Sequence, residues 1–282
     1  DKFQRNEDDF DYYIIDQEED FQKFYKKLQK QTYFTFDVET TMHGPLFSDL
    51  LGISFSWKQG EAYYINLYNR EHKTQNENNT LFNYSKQEKG SEVHPWLEQL
   101  KPIFEEENIL KVGHNIKFDV RVIQAQGINC RGIHFDTMIA SYLLNPGTRQ
   151  HSLDALVFTE LGFEKIDKNE LLGKGKEKCS FEELDLKKLG LYSCEDADFT
   201  HRLVEPLKKK LKEEKMYELF VELEMPLVWV LACMENNGVL LDSDVLKDSV
   251  VRMREKMRKA HVRPKPGRFD LKQDPGGLID IE

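Results

Sequence analysis

The stretch YFTFDVET, residues 33–40, is the part of the sequence that decides the fold. Its first part, Tyr33 to Val38, is an apolar, aromatic run that predicts a buried strand. Alternate residues of a strand point to one face, so the carboxylates of Asp37 and Glu39 are directed to the same side. Two like charges side by side are costly unless a cation lies between them. Taken alone, the pattern more often marks a solvated strand end than a functional site, and its meaning depends on the other carboxylates of the chain.

The hydrophobic pattern on the C-terminal side of this strand predicts more strands first and helices afterwards. Such an order is typical of an α/β or α+β domain in which a sheet is covered by helices. Further strands are predicted over 51–57, 62–67 and 109–112, and helices over 95–107, 115–126, 137–144, 186–214 and 223–234. The last of these is strongly apolar and is expected to be a buried helix that ends at Asn237-Gly238.

Polar residues stand where several of these helices begin. Asn115, Asp136 and Ser152 each precede a helical pattern and are predicted to be N-caps. Asp119 lies one turn after Asn115 on the same helix face, which by itself indicates only capping and a surface carboxylate. Tyr192 and Asp196 are likewise one helical turn apart, a spacing that core edges and solvent faces also show.

Composition limits the class of protein without deciding its function. The net charge of −10 gives little non-specific attraction to nucleic acid, although a carboxylate cluster that holds divalent metals would itself make a chain acidic. No apolar run approaches the ~20 residues of a membrane span, and no signal peptide is recognisable. The four cysteines are scattered, which disfavours a disulfide framework or a zinc site. A reduced, cytoplasmic protein without membrane contact is expected.

Three pairs of residues resemble, in order, the three exonuclease motifs of the DEDD superfamily in its tyrosine-containing branch. They are Asp37 with Glu39, Asn115 with Asp119, and Tyr192 with Asp196. The resemblance extends from about residue 12 to 242 and is closest to bacterial DNA polymerase I of family A: its 3′→5′ exonuclease domain and the beginning of its polymerase domain. Supporting stretches are DVETT at 37–41, HSLDAL at 151–156, GKGK at 173–176, YSCEDAD at 192–198 and EMPL at 224–227.

The resemblance implies a ribonuclease H-like exonuclease fold with a mixed central sheet flanked by helices and a short helical segment after it. It divides the chain into an exonuclease domain over 1–214, the truncated start of a polymerase domain over 215–260, and a tail over 261–282 to which no function is assigned. The palm and fingers motifs of the polymerase are missing, so the chain alone is not expected to synthesise DNA.

The resemblance also implies a site. Two divalent ions, Mg²⁺ or Mn²⁺, roughly 3.5–4 Å apart, are expected to hydrolyse the phosphodiester bond. Tyr192 would orient the attacking water. The expected metal ligands are Asp37, Glu39, Asp119 and Asp196, and the expected contacts to nucleic acid are made by Thr40, Asn115, Lys117 and Arg149.

The expected substrate is a single-stranded DNA 3′ end, or a duplex end that has frayed, because a paired end must open to reach such a pocket. A mismatched end costs less energy to unpair and would therefore be removed preferentially. A polymerase domain or chain is a further expected partner. Two alternatives stay open at this point. One is a non-catalytic exonuclease fold that serves as a scaffold for a polymerase. The other is an RNA-trimming exonuclease of the same superfamily, since the motifs do not distinguish the sugar.

Overall fold

A computed structural model describes residues 10–41, 48–68, 94–173 and 179–261 of the chain. Its strands are β1 (Asp11–Ile15), β2 (Tyr33–Thr40), β3 (Leu50–Lys58), β4 (Glu61–Asn66), β5 (Leu110–Gly113) and β6 (Ile133–Asp136). Its helices are α1 (Glu18–Leu28), α2 (Pro95–Glu105), α3 (Ile116–Ala125), α4 (Thr137–Leu144), α5 (Leu153–Leu156), α6 (Lys168–Leu172), α7 (Leu186–Glu213), α8 (Tyr217–Leu219), α9 (Met225–Asn237) and α10 (Ser243–His261). Two π-helical turns (Val157–Leu161 and Phe220–Glu224) and a 3₁₀ turn (Phe181–Glu183) join them.

The strands form one mixed six-stranded sheet in the order β1-β4-β3-β2-β5-β6. The hairpin strands β3 and β4 are antiparallel, as are β2 and β3, whereas β1–β4, β2–β5 and β5–β6 are parallel pairs. Strand β2 therefore lies inside the sheet, with a partner on each side. This arrangement confirms the predicted α/β class with a mixed central sheet flanked by helices.

Aromatic packing on one face of the sheet explains why the quoted stretch is buried. Phe34 and Phe36 of β2 are fully buried and contact Phe104 of α2, whose ring lies edge-on to Phe36 at a centroid distance of 5.1 Å. Phe55 of β3 joins the same group. Long helix α7 packs against β1–β4 and places a continuous row of buried residues on the sheet. Strand β2 is thus held by aromatic contacts and by a helix along the sheet.

The predicted strands and helices are confirmed with ends that differ by at most three residues. Strands β1 and β6 and helices α1, α6, α8 and α10 were not predicted. The two strands are short and stand at the sheet edges, where the apolar signal is weak. Helix α1 does carry a readable signal, because Phe21, Phe24 and Leu28 recur at helical spacing and are buried. The predicted surface loop over 69–90, most of the charged loop at 173–178 and nearly all of the tail lie outside the described residues.

Asp136 connects two helix N-termini, and the prediction for Asn115 is wrong as a result. The side chain of Asn115 makes no capping hydrogen bond, and its backbone adopts a left-handed conformation with φ of 58°. The buried carboxylate of Asp136 accepts instead from the backbone N–H groups of Asn115 and Ile116 at the start of α3. It also accepts from Met138 and Ile139, which confirms its predicted role as the N-cap of α4. Ser152 caps α5 as predicted.

The prediction that the apolar segment 223–234 forms a buried helix is only partly right. Helix α9 does form there and ends beside Gly238, whose φ is 69°. It buries Met225, Val228 and Ala232, however, while larger apolar side chains remain open to solvent, with Val230 49% and Met234 61% exposed. Within the described residues, α9 therefore presents apolar surface that nothing covers.

The chain divides into two units, Asp1–Asn236 and Asn237–Glu282. Helix α10 belongs to the second unit, and its apolar residues Val245, Leu246 and Val250 are more than half exposed. In the first unit, Phe220 lies in the hydrophobic core, although it follows the domain boundary predicted at 214/215, which stays a prediction. No helix in the described part of the chain is long and apolar enough to cross a membrane.

Replacement of the Asp136 carboxylate should be costly for stability. Asp136→Ala leaves buried N–H groups at two helix ends without an acceptor, which should lower the free energy of unfolding by about 2–4 kcal/mol. Asp185→Ala is the matched control, because Asp185 is exposed and caps only α7, at a cost of about 1 kcal/mol. Urea denaturation measures both, and equal losses for the two variants would contradict the double role of Asp136.

Candidate active site

The carboxylates expected to bind metal come from three different elements. Asp37 and Glu39 lie on β2, Asp119 on the first turn of α3, and Asp196 near the middle of α7. Carboxylate oxygens of Asp37, Glu39 and Asp196 all lie within 4.8 Å of one another. The backbone N–H of Val38 donates to Asp119, which anchors the fourth carboxylate to the strand between the first two. The structure therefore brings together the four residues predicted as ligands.

Strands β3 and β4 pack closely at the position that pairs with Glu39. The neighbour of Glu39 in the register of β3 is Gly52, and the ladder shifts between Glu39 and Thr40. A Cβ atom at Gly52 would lie 2.4 Å from the Tyr64 side chain and 2.6 Å from the carbonyl oxygen of Ile65. The backbone of β3 therefore comes so close to β4, directly beside the acidic residues, that only glycine fits at position 52.

The four carboxyl groups are strongly perturbed by burial and by one another. Burial raises the pKa values of Asp37, Glu39 and Asp119 well above their usual values, and the neighbouring carboxylates raise them further. Burial likewise raises the pKa of Asp196, although Lys165 opposes this effect. Glu39 Oε1 and Asp119 Oδ2 are buried and have no hydrogen-bond partner among the described residues. Buried polar atoms without partners call for a bound group.

This donor set suits a divalent cation with a preference for oxygen. Carboxylate oxygens are hard ligands of the kind that Mg²⁺ and Mn²⁺ favour. A cation among them would offset the mutual repulsion and the burial of the charges at once. The oxygens of Asp37, Glu39 and Asp196 are close enough to share one ion. The free buried oxygen of Asp119 provides a further ligand atom.

Tyr192 lies one helical turn before Asp196 on α7, as predicted, and its ring packs against Phe181 at a centroid distance of 5.8 Å. It is largely buried. Burial and the nearby carboxylates, Asp196 foremost among them, raise the pKa of the hydroxyl above its usual value. The phenol therefore stays protonated, and its hydroxyl donates a hydrogen bond to the Asp196 carboxylate.

Lys165 is a member of the site that the sequence did not reveal. Its side chain is 2% exposed, and its ammonium contacts Asp196 Oδ1 and lies 3.6 Å from Asp154 Oδ1. It also lies 4.0 Å from the centre of the Tyr192 ring. Burial lowers the pKa of Lys165, but Asp196 outweighs this effect, so that the pKa lies above its usual value. The lysine stands in an irregular segment, where no spacing rule marks it.

The residues expected to contact nucleic acid are more dispersed. Thr40 ends β2 beside Glu39, and Asn115 directly precedes α3. Lys117 of α3 is bound to Glu235 of α9, with 2.6 Å between its ammonium and Glu235 Oε1. Arg149 is exposed in the segment before α5. The expected contacts of these four residues remain predictions.

A family model described as 3′-5′ exonuclease matches residues 12–212. DNA polymerase I of Pseudomonas aeruginosa is 32% identical over 250 residues, which is 88% of this chain and 26% of that protein. DNA polymerase I of Borreliella burgdorferi is 34% identical over 222 residues, or 79% of this chain and 22% of that protein. The chain thus spans about a quarter of the length of the curated relatives it matches.

Solved structures show the same fold. The POL domain of Pol1 from M. smegmatis, solved in complex with DNA primer-template and dNTP, gives a TM-score of 0.62 at 19% identity and covers 88% of this chain and 36% of that chain. NrnC of Brucella melitensis, solved bound to pGG, gives a TM-score of 0.57 at 20% identity and covers 81% of this chain and 94% of that chain. These likenesses confirm the predicted ribonuclease H-like exonuclease fold.

The raised pKa values predict an unusual pH dependence of stability without metal. The folded protein binds more protons than the unfolded chain above about pH 4, where ordinary carboxyl groups ionise. The free energy of unfolding in EDTA should therefore fall as the pH rises through the raised pKa values of the four carboxyl groups, and excess Mn²⁺ should suppress that decline. Asp119→Asn removes one titrating group and should make the decline shallower. Denaturation curves from about pH 5 to about pH 8 test this, and identical slopes for both proteins would contradict it.

Proposed function

The chain belongs to the 3′–5′ exonuclease family found in DNA polymerase I, and we propose that it removes nucleotides from DNA 3′ ends by metal-dependent hydrolysis. The observation that supports this most is the convergence of Asp37, Glu39 and Asp196 within 4.8 Å, with Asp119 anchored beside them. Buried like charges destabilise a fold unless they serve a bound cation. A protein that retains all of them in one place is best understood as a nuclease.

The proposed chemistry assigns distinct tasks to the residues of the site. Asp37, Glu39, Asp119 and Asp196 would hold two divalent ions. Such ions activate a water molecule and neutralise the charge that develops on the leaving 3′-oxygen. Tyr192 would orient the attacking water by donating a hydrogen bond. Because the pKa of its hydroxyl is raised, Tyr192 is unsuited to act as the general base.

The proposed substrate is a single-stranded or frayed DNA 3′ end, and the proposed biological role is proofreading. Thr40, Asn115, Lys117 and Arg149 would contact the terminal nucleotides and the backbone. Arg149 is exposed, whereas Lys117 would have to leave Glu235 in order to reach a phosphate. A mismatched end would be degraded faster because it loses less pairing energy when it enters the site.

A polymerase domain or chain is the proposed partner. The relatives are about four times longer than the matched region, and helix α9 exposes apolar side chains that such a partner would cover. Synthesis would be the task of that partner rather than of these residues. All four cysteines of the described chain are free, which suits the reduced, cytoplasmic setting that we propose.

A second candidate function is RNA trimming. NrnC, which the chain resembles in fold, was solved bound to pGG, and the carboxylates themselves do not read the sugar. The direct test uses 5′-labelled DNA and RNA oligonucleotides of one sequence, with Mg²⁺, with Mn²⁺ and with EDTA. Shortening of the DNA from its 3′ end, abolished by EDTA, is expected. Preferential shortening of RNA would favour the second candidate, and no shortening of either by folded protein would indicate a non-catalytic scaffold.

Asp37→Ala should abolish cleavage. We expect a loss of at least about 10²-fold in rate, because a charge that holds the cations is gone. Removal of one like charge should leave the metal-free fold intact or slightly more stable. Asp20→Ala is the control, since Asp20 is an exposed carboxylate of α1. Wild-type digestion by Asp37→Ala would refute the assignment of the site.

Tyr192→Phe should show that Tyr192 orients the attacking water and is not needed for metal binding. The variant keeps the packing of the ring and loses the hydroxyl with its hydrogen bond to Asp196, so Mn²⁺ should still bind while cleavage slows. Single-turnover cleavage should slow by about 10²-fold, the size of effect expected when a reacting group is misplaced. Loss of Mn²⁺ binding in a calorimetric titration would show that Tyr192 has a different role.

A further inference from the structure

Lys165 is held in the acidic site by the fold and does not simply reach into it from the surface. The next residue, Ile166, donates its backbone N–H to Glu195 Oε2 at 2.8 Å. Glu195 lies on α7 beside Asp196 and is itself buried. This bond ties the irregular segment after the first π-helical turn to the helix that carries Asp196. The 2% exposed side chain of Lys165 consequently ends among the carboxylates.

The ammonium of Lys165 and a divalent cation would bind the same carboxylate, that of Asp196. Lys165 contacts Asp196 Oδ1, and the Asp196 carboxylate is also among the groups whose oxygens converge on Asp37 and Glu39. A positive charge in direct contact with a ligand opposes the approach of a second cation. Without a metal, however, the same charge offsets the cost of burying Asp196.

We propose that Lys165 is a positioning residue that takes the place of the divalent cation at Asp196 in the metal-free protein and sets the metal affinity of the site by competing for that carboxylate. This inference rests on the proposed function. The competition needs an alternative partner for the displaced ammonium, and Asp154 Oδ1 at 3.6 Å provides one at the more open side of the site. The aromatic ring of Tyr192, 4.0 Å from the ammonium, also stabilises the charge in its observed position.

Mn²⁺ titration of the whole chain by calorimetry at about pH 8, where the carboxyl groups are less protonated, tests the proposal. Lys165→Met removes the charge and keeps the length of the side chain, whereas Lys165→Gln also keeps a hydrogen-bond donor for Asp196. Both should bind Mn²⁺ about 10-fold more tightly than wild type, or tighter still, in line with the effect of a nearby charge on a carboxylate. Their melting temperature should be lower than wild type in EDTA and should rise more on addition of Mn²⁺.

Lys168→Met is the matched control. Lys168 is an exposed lysine of α6 that stacks on Phe181, with 4.7 Å between its ammonium and the ring centre. Its charge also lowers the pKa values of Asp37 and Glu39, although less than the charge of Lys165 does, so its removal should change the affinity by a smaller factor than removal of the Lys165 charge.

Each outcome of the titration is decisive. Equal or weaker Mn²⁺ binding by the Lys165 variants, with normal binding by wild type, would overturn the competition and leave the proposed function in place. Variants that fold only when Mn²⁺ is supplied would support the competition, whereas variants that fail to fold in either condition would show a purely structural lysine. Absence of Mn²⁺ binding by wild type would overturn the proposed function together with this inference.

Discussion

The burial of like-charged carboxylates at the end of a central strand is the constraint on which the rest of the structure depends. Strand β2 carries Asp37 and Glu39 in the interior of the sheet, where Glu39 is buried and Asp37 is partly buried. Asp119 is held by the backbone of Val38, and Asp196 stands on the longest helix of the fold. An arrangement that raises the pKa values of its own carboxyl groups is expensive in stability. The fold maintains it with aromatic packing on one side of the strand and α7 along the sheet.

Two other buried aspartates of the same molecule have hydrogen-bond partners for their carboxylate oxygens. Asp136 accepts hydrogen bonds from backbone N–H groups at two helix ends. Asp198, two residues beyond Asp196, accepts from Tyr12 and from the guanidinium of Arg202. At the site, Glu39 Oε1 and Asp119 Oδ2 lack such partners, which distinguishes these acids from the acids that stabilise the fold. Spacing in the sequence does not make this distinction, but burial and hydrogen bonding do.

The sequence predicts the four inner strands of the sheet, most of the longer helices and the candidate site carboxylates, because these depend on local periodicity and on motifs. Such rules do not predict hydrogen-bond or ion-pair partners that are far apart in the sequence. The N–H groups at the start of α3 are satisfied from Asp136, about twenty residues further on, and not by Asn115. Lys165 reaches Asp196 only through the folding of an irregular segment. The exposure of α9 depends on what packs against it, which the apolar character of the helix does not disclose.

The central claim is that these carboxylates are the ligands of two divalent cations. Anomalous diffraction from crystals of the chain soaked in Mn²⁺ tests it most directly, since it locates the ions without reference to activity. Two anomalous peaks are predicted, bounded by Asp37, Glu39, Asp119 and Asp196, with the ammonium of Lys165 moved away from Asp196. Crystals in which Mn²⁺ binds elsewhere, or in which the carboxylates stay free of metal at saturating concentration, would contradict the claim.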